Sequence, residues 1–393
     1  MREIYLDNNA TTRPLPEVRA AMMRALEDAW GNPSSAHRGG AAARRVLAEA
    51  REGVAGLLGA HPEQVCFVSG GTEANVMAIR SCLAASATRR LVTSTIEHSS
   101  VLKTAQQLEG QGCEVIWIPP DAGGRIDPSR VEAALRGQPR AAISIQWVNN
   151  ETGVVHDVLT IGSIARQHGA LFHCDAAQAA GKIPICLHEL PIDYLTLTAH
   201  KLHGPAGVGA LVASERRLIQ PILLGGDQEA GRRPGTENIV GVAGFGTAAD
   251  LRRSRFDQVV PKLAQLRDRF EHRIRAEVPA ASVNGATSHR VCNTSNLQFA
   301  LANGQALMAQ LDVRGVRCSQ SSACTNSRPE PSYVLRAMGL TEDQAYRSVR
   351  FSFSELNTPD EVEQAVELLS DIHAKIVDFE IPGASRDFRE VAS

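Results

Sequence analysis

Two short segments, Phe172-His173-Cys174-Asp175 and Leu195-Thr196-Leu197-Thr198-Ala199-His200-Lys201, set the reading of this chain. Each is a β-prone run that ends on a charged residue. In an open α/β sheet, ligands bind in the crevice at the carboxyl ends of the strands, which is where Asp175 and Lys201 would stand. Their separation of 26 residues matches one connection plus one further strand. Taken singly, a lysine just past a strand is most simply a surface residue, and an aspartate at a strand tip is most simply a helix cap. The pair is more informative than either member.

Outward from these two segments, helical patterns alternate with short β-branched runs from about residue 17 to 240, the pattern of an α/β layer with a largely parallel sheet. Seven strands are predicted, over residues 65–68, 90–95, 114–118, 142–148, 171–174, 194–198 and 209–213. The segment before His61 places Val46, Ala50, Val54, Leu57 and Leu58 at helical spacing. Beyond residue 255 the pattern changes to a charged helix over 259–276 and two isolated strand-like runs, 293–299 and 348–354. The predicted organisation is a large α/β domain over residues 15–254, with residues 1–14 and 255–393 forming a smaller α+β domain. A last helix begins at Thr358-Pro359-Asp360-Glu361, which combines an N-cap threonine, a proline at the first helical position and a capping-box glutamate.

Composition narrows the function classes. The 393 residues carry 41 Lys and Arg against 43 Asp and Glu, so the broad basic bias that nucleic-acid binding needs is absent and small molecules are the expected partners. No apolar run of roughly 18 residues predicts a membrane span, and Met1-Arg2-Glu3 opens with charge rather than a secretion signal; a cytoplasmic location is the expectation. Eight cysteines in a chain this long form neither a disulfide framework nor CxxC zinc pairs, so most are expected to be buried core residues, Cys66 and Cys292 among them. The adjacent residues of His173-Cys174-Asp175 alternate between strand faces and cannot converge on one metal ion. Only five lysines are present, and any chemistry that needs a neutral amine must use one of them.

An amine and an acid at neighbouring strand tips are what pyridoxal phosphate requires: a lysine for the Schiff base, and a carboxylate that keeps the pyridine nitrogen protonated. Val68-Ser69-Gly70-Gly71-Thr72-Glu73 offers a phosphate cradle, in which Gly71 permits close backbone approach, Thr72 adds a hydroxyl and the following helix adds favourable partial charge. It has neither the GxxxxGK[ST] of a nucleotide loop nor the GxGxxG of a dinucleotide site. His98 could stack on a flat ring, Asn150 and Gln178 could hydrogen-bond a phenolic oxygen, and the planar fork of Arg350 could clamp a carboxylate. In Ser319-Gln320-Ser321-Ser322-Ala323-Cys324, a cysteine within small polar residues is expected to be accessible, the first requirement for a reactive thiol.

With these segments in place, the chain resembles the NifS/IscS-type cysteine desulfurases, in the class V aminotransferase group of fold-type I pyridoxal-phosphate enzymes. The resemblance runs from Tyr5-Leu6-Asp7-Asn8-Asn9-Ala10-Thr11-Thr12 and Gly31-Asn32-Pro33-Ser34-Ser35, through Val148-Asn149-Asn150-Glu151-Thr152-Gly153, to Ser322-Ala323-Cys324 and Glu330-Pro331-Ser332-Tyr333. It implies that Lys201 carries the cofactor, Asp175 pairs with its ring nitrogen and His98 stacks on the ring and assists catalysis. Thr72, Thr198 and His200 would hold the phosphate. In Gly231-Arg232-Arg233-Pro234-Gly235-Thr236, Thr236 would reach the phosphate of the other subunit, which implies a homodimer. Arg350, with Asn32 nearby, would bind the carboxylate of L-cysteine, and Cys324 would carry the persulfide to a sulfur-acceptor protein for iron–sulfur assembly or thiolation. A selenocysteine lyase or another class V aminotransferase would share the cofactor residues. The chain departs from the family pattern at Asp227, Ala230, Gln320 and Ser321, which bears on loop mobility and interface detail.

Overall fold

The computed structural model describes residues 3–137, 140–215, 218–320 and 330–380. Its strands are β1 (Ile4–Tyr5), β2 (Val65–Val68), β3 (Arg90–Ser94), β4 (Glu114–Ile118), β5 (Ala142–Gln146), β6 (Leu171–Asp175), β7 (Tyr194–Thr198), β8 (Gly209–Ala213), β9 (Ala281–Val283), β10 (Thr294–Phe299), β11 (Val316–Arg317) and β12 (Ser348–Ser352). Strands β2 to β8 form one seven-stranded sheet in the order β2-β8-β7-β6-β5-β3-β4. Only β8 runs against its neighbours.

Both faces of this sheet are covered, and the strand sequences show why. Along β2, Val65 and Phe67 join one apolar cluster while Cys66 and Val68 join another; along β8, Ala210 and Val212 alternate in the same way with Leu211 and Ala213. Side chains with a period of two, apolar at every position, give a strand buried on both sides. Helices Gly71–Ala85 and Ser99–Gly110 pack on one face, through Met77, Ile79, Val101 and Leu108. Helices Arg38–Leu57, Val158–Gln167 and Ile239–Ser254 cover the other.

The predicted strand 142–148 ends early, at Gln146, because Asn149 starts a tight turn. Its Oδ1 accepts from the backbone of Glu151 and Thr152 and from the Thr152 hydroxyl, at 3.0, 2.9 and 3.1 Å. The two strand-like runs expected to be isolated, 293–299 and 348–354, instead pair with each other: β10 and β12 are antiparallel neighbours, and β9 joins β10 to make a three-stranded sheet. The charged helix spans Phe256–Glu277 and tolerates Pro261 near its start. Helix Pro359–Glu380 has its capping box, with Thr358 Oγ1 accepting from the Glu361 amide and Glu361 Oε2 accepting from the Thr358 amide, both at 3.2 Å. Val362, Val366, Leu369 and Ile372 are buried as its core-facing stripe. Cys66 and Cys292 are buried. Among the described residues, no helix is long and apolar enough to cross a membrane.

One contact ties the sheet to the turn after β2. Gly209, at the start of β8, lies so close to Gly70 that a Cβ there would sit 2.8 Å from the Gly70 backbone and 2.7 Å from the Leu197 carbonyl oxygen. Both obstacles are backbone and cannot swing away. Gly209→Ala is therefore expected to lower the unfolding free energy by about 1–3 kcal/mol, measured by chemical denaturation; an unchanged midpoint would show that the turn yields freely.

Candidate active site

Neighbouring strands β6 and β7 pair Asp175 with Thr196, so Asp175 and the turn that carries Lys201 emerge at adjacent strand tips. Asp175 is only 7% exposed. Its Oδ1 accepts from the Ala177 amide at 3.0 Å and its Oδ2 from Asn75 Nδ2 at 2.7 Å. Lys201 Nζ donates to the carbonyl oxygens of Asn9 and of Ala10, the latter at 2.6 Å. Burial pushes the Lys201 pKa down to about 7, and the cations of Arg350 and Lys182 push in the same direction. The amine is thus neutral in a large fraction of molecules at physiological pH.

His98 caps helix Ser99–Gly110 from the tip of β3. Burial lowers its pKa, against the opposing pull of Asp175. His200 is driven down to about 4, by burial and then by the neighbouring charges of Lys201 and His98; its Nδ1 lies 3.2 Å from Thr11 Oγ1. Thr198 ends β7, and a Cβ added at Gly71 would meet its side chain at ordinary contact distance, 3.7 Å. Thr72 is exposed in the first turn of helix Gly71–Ala85.

Arg350 comes from the opposite side, out of the small sheet. Its neighbours Val349 and Phe351 enter the core, whereas the guanidinium, 5% exposed as a residue, donates to Asp7 Oδ1 at 2.8 Å and to the Asn150 carbonyl at 3.0 Å. Its Nε and the Asn150 Oδ1 are buried and have no partner among the described residues. Gln178 is committed within the protein, with Nε2 donating to the Asn9 carbonyl at 3.0 Å and Oε1 accepting from Lys182 Nζ at 2.9 Å.

Lys201, Asp175, His98, His200, Asn150, Gln178 and Arg350 thus share one neighbourhood, with Gly71, Thr72 and Thr198 at its edge. Asn32 does not join them: it lies on an exposed turn before helix Arg38–Leu57, and its Oδ1 accepts from the Ser34 amide at 2.9 Å. Thr236 is exposed and lines a cavity of about 220 Å³ with Ser69, Gly207 and Arg233, bordering the turn that opens helix Gly71–Ala85. Cys324 and Ser321 lie outside the described residues. Of the other departures, Ala230 follows Glu229 in a second consecutive left-handed conformation, with φ of 57° and 49°. The pair is held because Glu229 accepts bidentately from Arg51, at 2.6 and 2.8 Å, and from the Phe67 amide at 2.9 Å. Asp227 precedes this turn as its N-cap. Gln320 donates from Nε2 to the Tyr346 carbonyl at 2.6 Å.

Several members of the site carried no signal of their own in the sequence. Asn9 and Asp7 act from the amino terminus, and no spacing rule connects them to Lys201. Asn75 sits three residues beyond Thr72 on the same helix and so shares its face, which is the one pattern that could have marked it. Glu97, fully buried beside His98, has its pKa pushed up to about 8 by burial and by Asp175 despite hydrogen bonds from Ser94 and the Gln146 amide.

The family model for Aminotransferase class-V matches residues 4–365. A protein described as a cysteine desulfurase from Trichormus azollae is 42% identical over 373 residues, covering 95% of this chain and 93% of that one. A cysteine desulfurase from Cereibacter sphaeroides is 46% identical over 376 residues, covering 95% and 96%. A solved structure described as a NifS-like protein superposes with a TM-score of 0.87 at 30% identity, covering 94% of this chain and 99% of its own. The chain belongs to the class V aminotransferases, in their NifS-type cysteine desulfurase branch.

Proposed function

We propose that this chain is a cysteine desulfurase that binds pyridoxal 5'-phosphate through Lys201 and moves the sulfur of L-cysteine onto Cys324 as a persulfide, releasing L-alanine. The observation that carries the reading is an amine, Lys201 Nζ, held by the Asn9 and Ala10 carbonyls at the strand tip next to that of the buried Asp175, in a chain related over 95% of its length to cysteine desulfurases. The residues suit the cofactor. A Cβ at Gly70 would meet nothing within 4 Å, so the backbone of the turn opens helix Gly71–Ala85 onto free space, as a phosphate needs, with Thr198 in contact distance of Gly71 and Thr72 next along the helix. The orphaned Asn150 Oδ1 suits a hydroxyl donor, and the orphaned Arg350 Nε suits a carboxylate.

The bound cofactor supplies an electron sink for the α-carbon of the substrate. Around it, the chain's own residues have separable tasks. Asp175 holds the proton on the ring nitrogen, and His98 covers the ring. Lys201, neutral in much of the population, takes the α-proton. Arg350 orients the substrate carboxylate. Cys324 then attacks the sulfur of the substrate: an S–S bond forms as the C–S bond breaks, and the carbon keeps the electron pair and gains a proton. A thiol and L-cysteine become a persulfide and L-alanine, with no external oxidant or reductant. Thr236, exposed on its own chain, is placed by this reading at the phosphate of a second copy, and the persulfide passes to a sulfur-acceptor protein.

Two outcomes are expected. Cys324→Ser should lower alanine release from L-cysteine by about 10³-fold or more while cofactor content stays at the wild-type level; undiminished turnover would remove Cys324 from the reaction. Acylation of the full chain freed of pyridoxal phosphate, by a limiting reagent and followed site by site by mass spectrometry, should give half-maximal Lys201 reactivity near pH 7. The neutral form prevails above that midpoint, and Arg350→Met should move the midpoint upward, because it deletes a nearby positive charge. A midpoint near the ordinary 10.5 would contradict the desolvated amine.

A further inference from the structure

Asp175 and His98 are joined through the protein by two side chains that the mechanism above leaves idle. Asn75, 1% exposed, spends both hydrogens of its Nδ2, one on Asp175 Oδ2 at 2.7 Å and one on Ser100 Oγ at 2.9 Å. Its Oδ1 is buried without a partner among the described residues. The reverse orientation would set that oxygen against the carboxylate, so the amide direction is fixed by the charge of Asp175. Ser100 Oγ lies 2.8 Å from His98 Nδ1, and the Ser100 amide donates to the same nitrogen at 3.2 Å.

The donors can be assigned by counting hydrogens. A backbone N–H aimed at Nδ1 needs a lone pair there, so Nδ1 carries no proton. Ser100 Oγ already accepts from Asn75, and its single hydrogen is free to go to Nδ1. We propose that Ser100 and Asn75 are positioning residues which hold His98 as the neutral imidazole with its proton on Nε2, and which tie that tautomer to Asp175, so that His98 can deliver a proton only from Nε2. The inference rests on the proposed function only for what the proton is used for; the tautomer itself follows from the hydrogen bonds.

The surroundings act in the same sense. Protonation of Nδ1 would turn a donor toward the Ser100 amide and place a cation at a helix N-terminus, where the macrodipole opposes it. From the other elements, Lys201 after β7 adds repulsion and Asp175 on β6 adds attraction, while His200, its own pKa driven down to about 4, is neutral where an imidazole ordinarily titrates. Glu97, the preceding residue, faces Ser94 and the Gln146 amide and is largely uncharged below pH 8. A neutral ring covering a protonated pyridine also avoids stacking one cation on another.

The test is nitrogen NMR of the full chain labelled with ¹⁵N-histidine, without and with added pyridoxal phosphate, the His98 signals being assigned by their loss in His98→Gln. The wild-type chain should show a pyridine-type Nδ1 and a pyrrole-type Nε2, persisting to pH values below the usual histidine range. Ser100→Ala deletes the hydroxyl donor and keeps the backbone one, so the His98 midpoint should rise by about half to one pH unit, and Ser100→Thr should restore it. A protonated Nδ1 in the wild-type chain, or an unmoved midpoint in Ser100→Ala, would overturn the proposal. If the nitrogens behave as stated and L-cysteine is not consumed, the positioning device stands and the assigned reaction is what fails.

Discussion

The site is organised around the main chain of one residue, Asn9. Its carbonyl oxygen accepts from Lys201 and from Gln178, both on the large sheet. Its amide donates to Ser352 Oγ at 2.9 Å, its Nδ2 to Thr294 Oγ1 at 2.9 Å, and its Oδ1 accepts from Asn293 at 3.1 Å, all on the small sheet side. Further Nδ2 contact reaches the Asn150 carbonyl at 3.1 Å. Asn9 is 2% exposed, and its bonds to Ser352, Thr294, Asn293 and Gln178 are out of water, where a missing partner is costly. The segment that begins the chain therefore pins the lysine turn of one sheet to the strand that carries Arg350 in the other. The Asp7–Arg350 ion pair and the bridge between Asp7 and Ser352 continue the same seam.

That seam explains why the charges here are tolerated. Lys182 is buried and Lys201 half-buried among cations, and desolvation alone would expel their protons; carbonyl oxygens and the Gln178 amide receive the hydrogens that remain. The pKa of Lys182 falls to about 8 and that of Lys201 to about 7, so both amines sit close to the pH at which they change charge. Glu97 is the mirror case, an acid kept protonated to about pH 8 by burial. Such groups work against stability: an amine whose pKa is lowered in the folded state makes folding less favourable below its unfolded value, and an acid whose pKa is raised does so above its unfolded value. Their presence at the strand tips is consistent with a site shaped for proton transfer rather than for cohesion.

The large sheet was legible because its strands are short, β-branched and bounded by helical periodicity, and all seven were placed within two residues of their ends. Their order in the sheet was not legible, since alternation reports burial and not neighbours. The small sheet was read as two isolated runs because β9 is three residues long and the pairing of β10 with β12 spans some fifty residues. In the site, Asp175 and Lys201 stood out through their spacing at successive strand tips. Asn9, Asp7, Asn75 and Ser100 did not, because their roles depend on which oxygen faces which nitrogen across the interior. Asn32 and Thr236 came from the family resemblance alone; within a single chain Asn32 stays on its own exposed turn, and Thr236 shares a cavity with Ser69 rather than with Lys201.

In the proposed reaction Lys201, and no other lysine, presents its amine to the cofactor. Borohydride reduction of the full chain loaded with pyridoxal phosphate, followed by peptide mass spectrometry, tests this directly, because reduction fixes the cofactor to whichever amine holds it. A single labelled peptide containing Lys201 is expected. Label on Lys182 or any other lysine with Lys201 unmodified would contradict it.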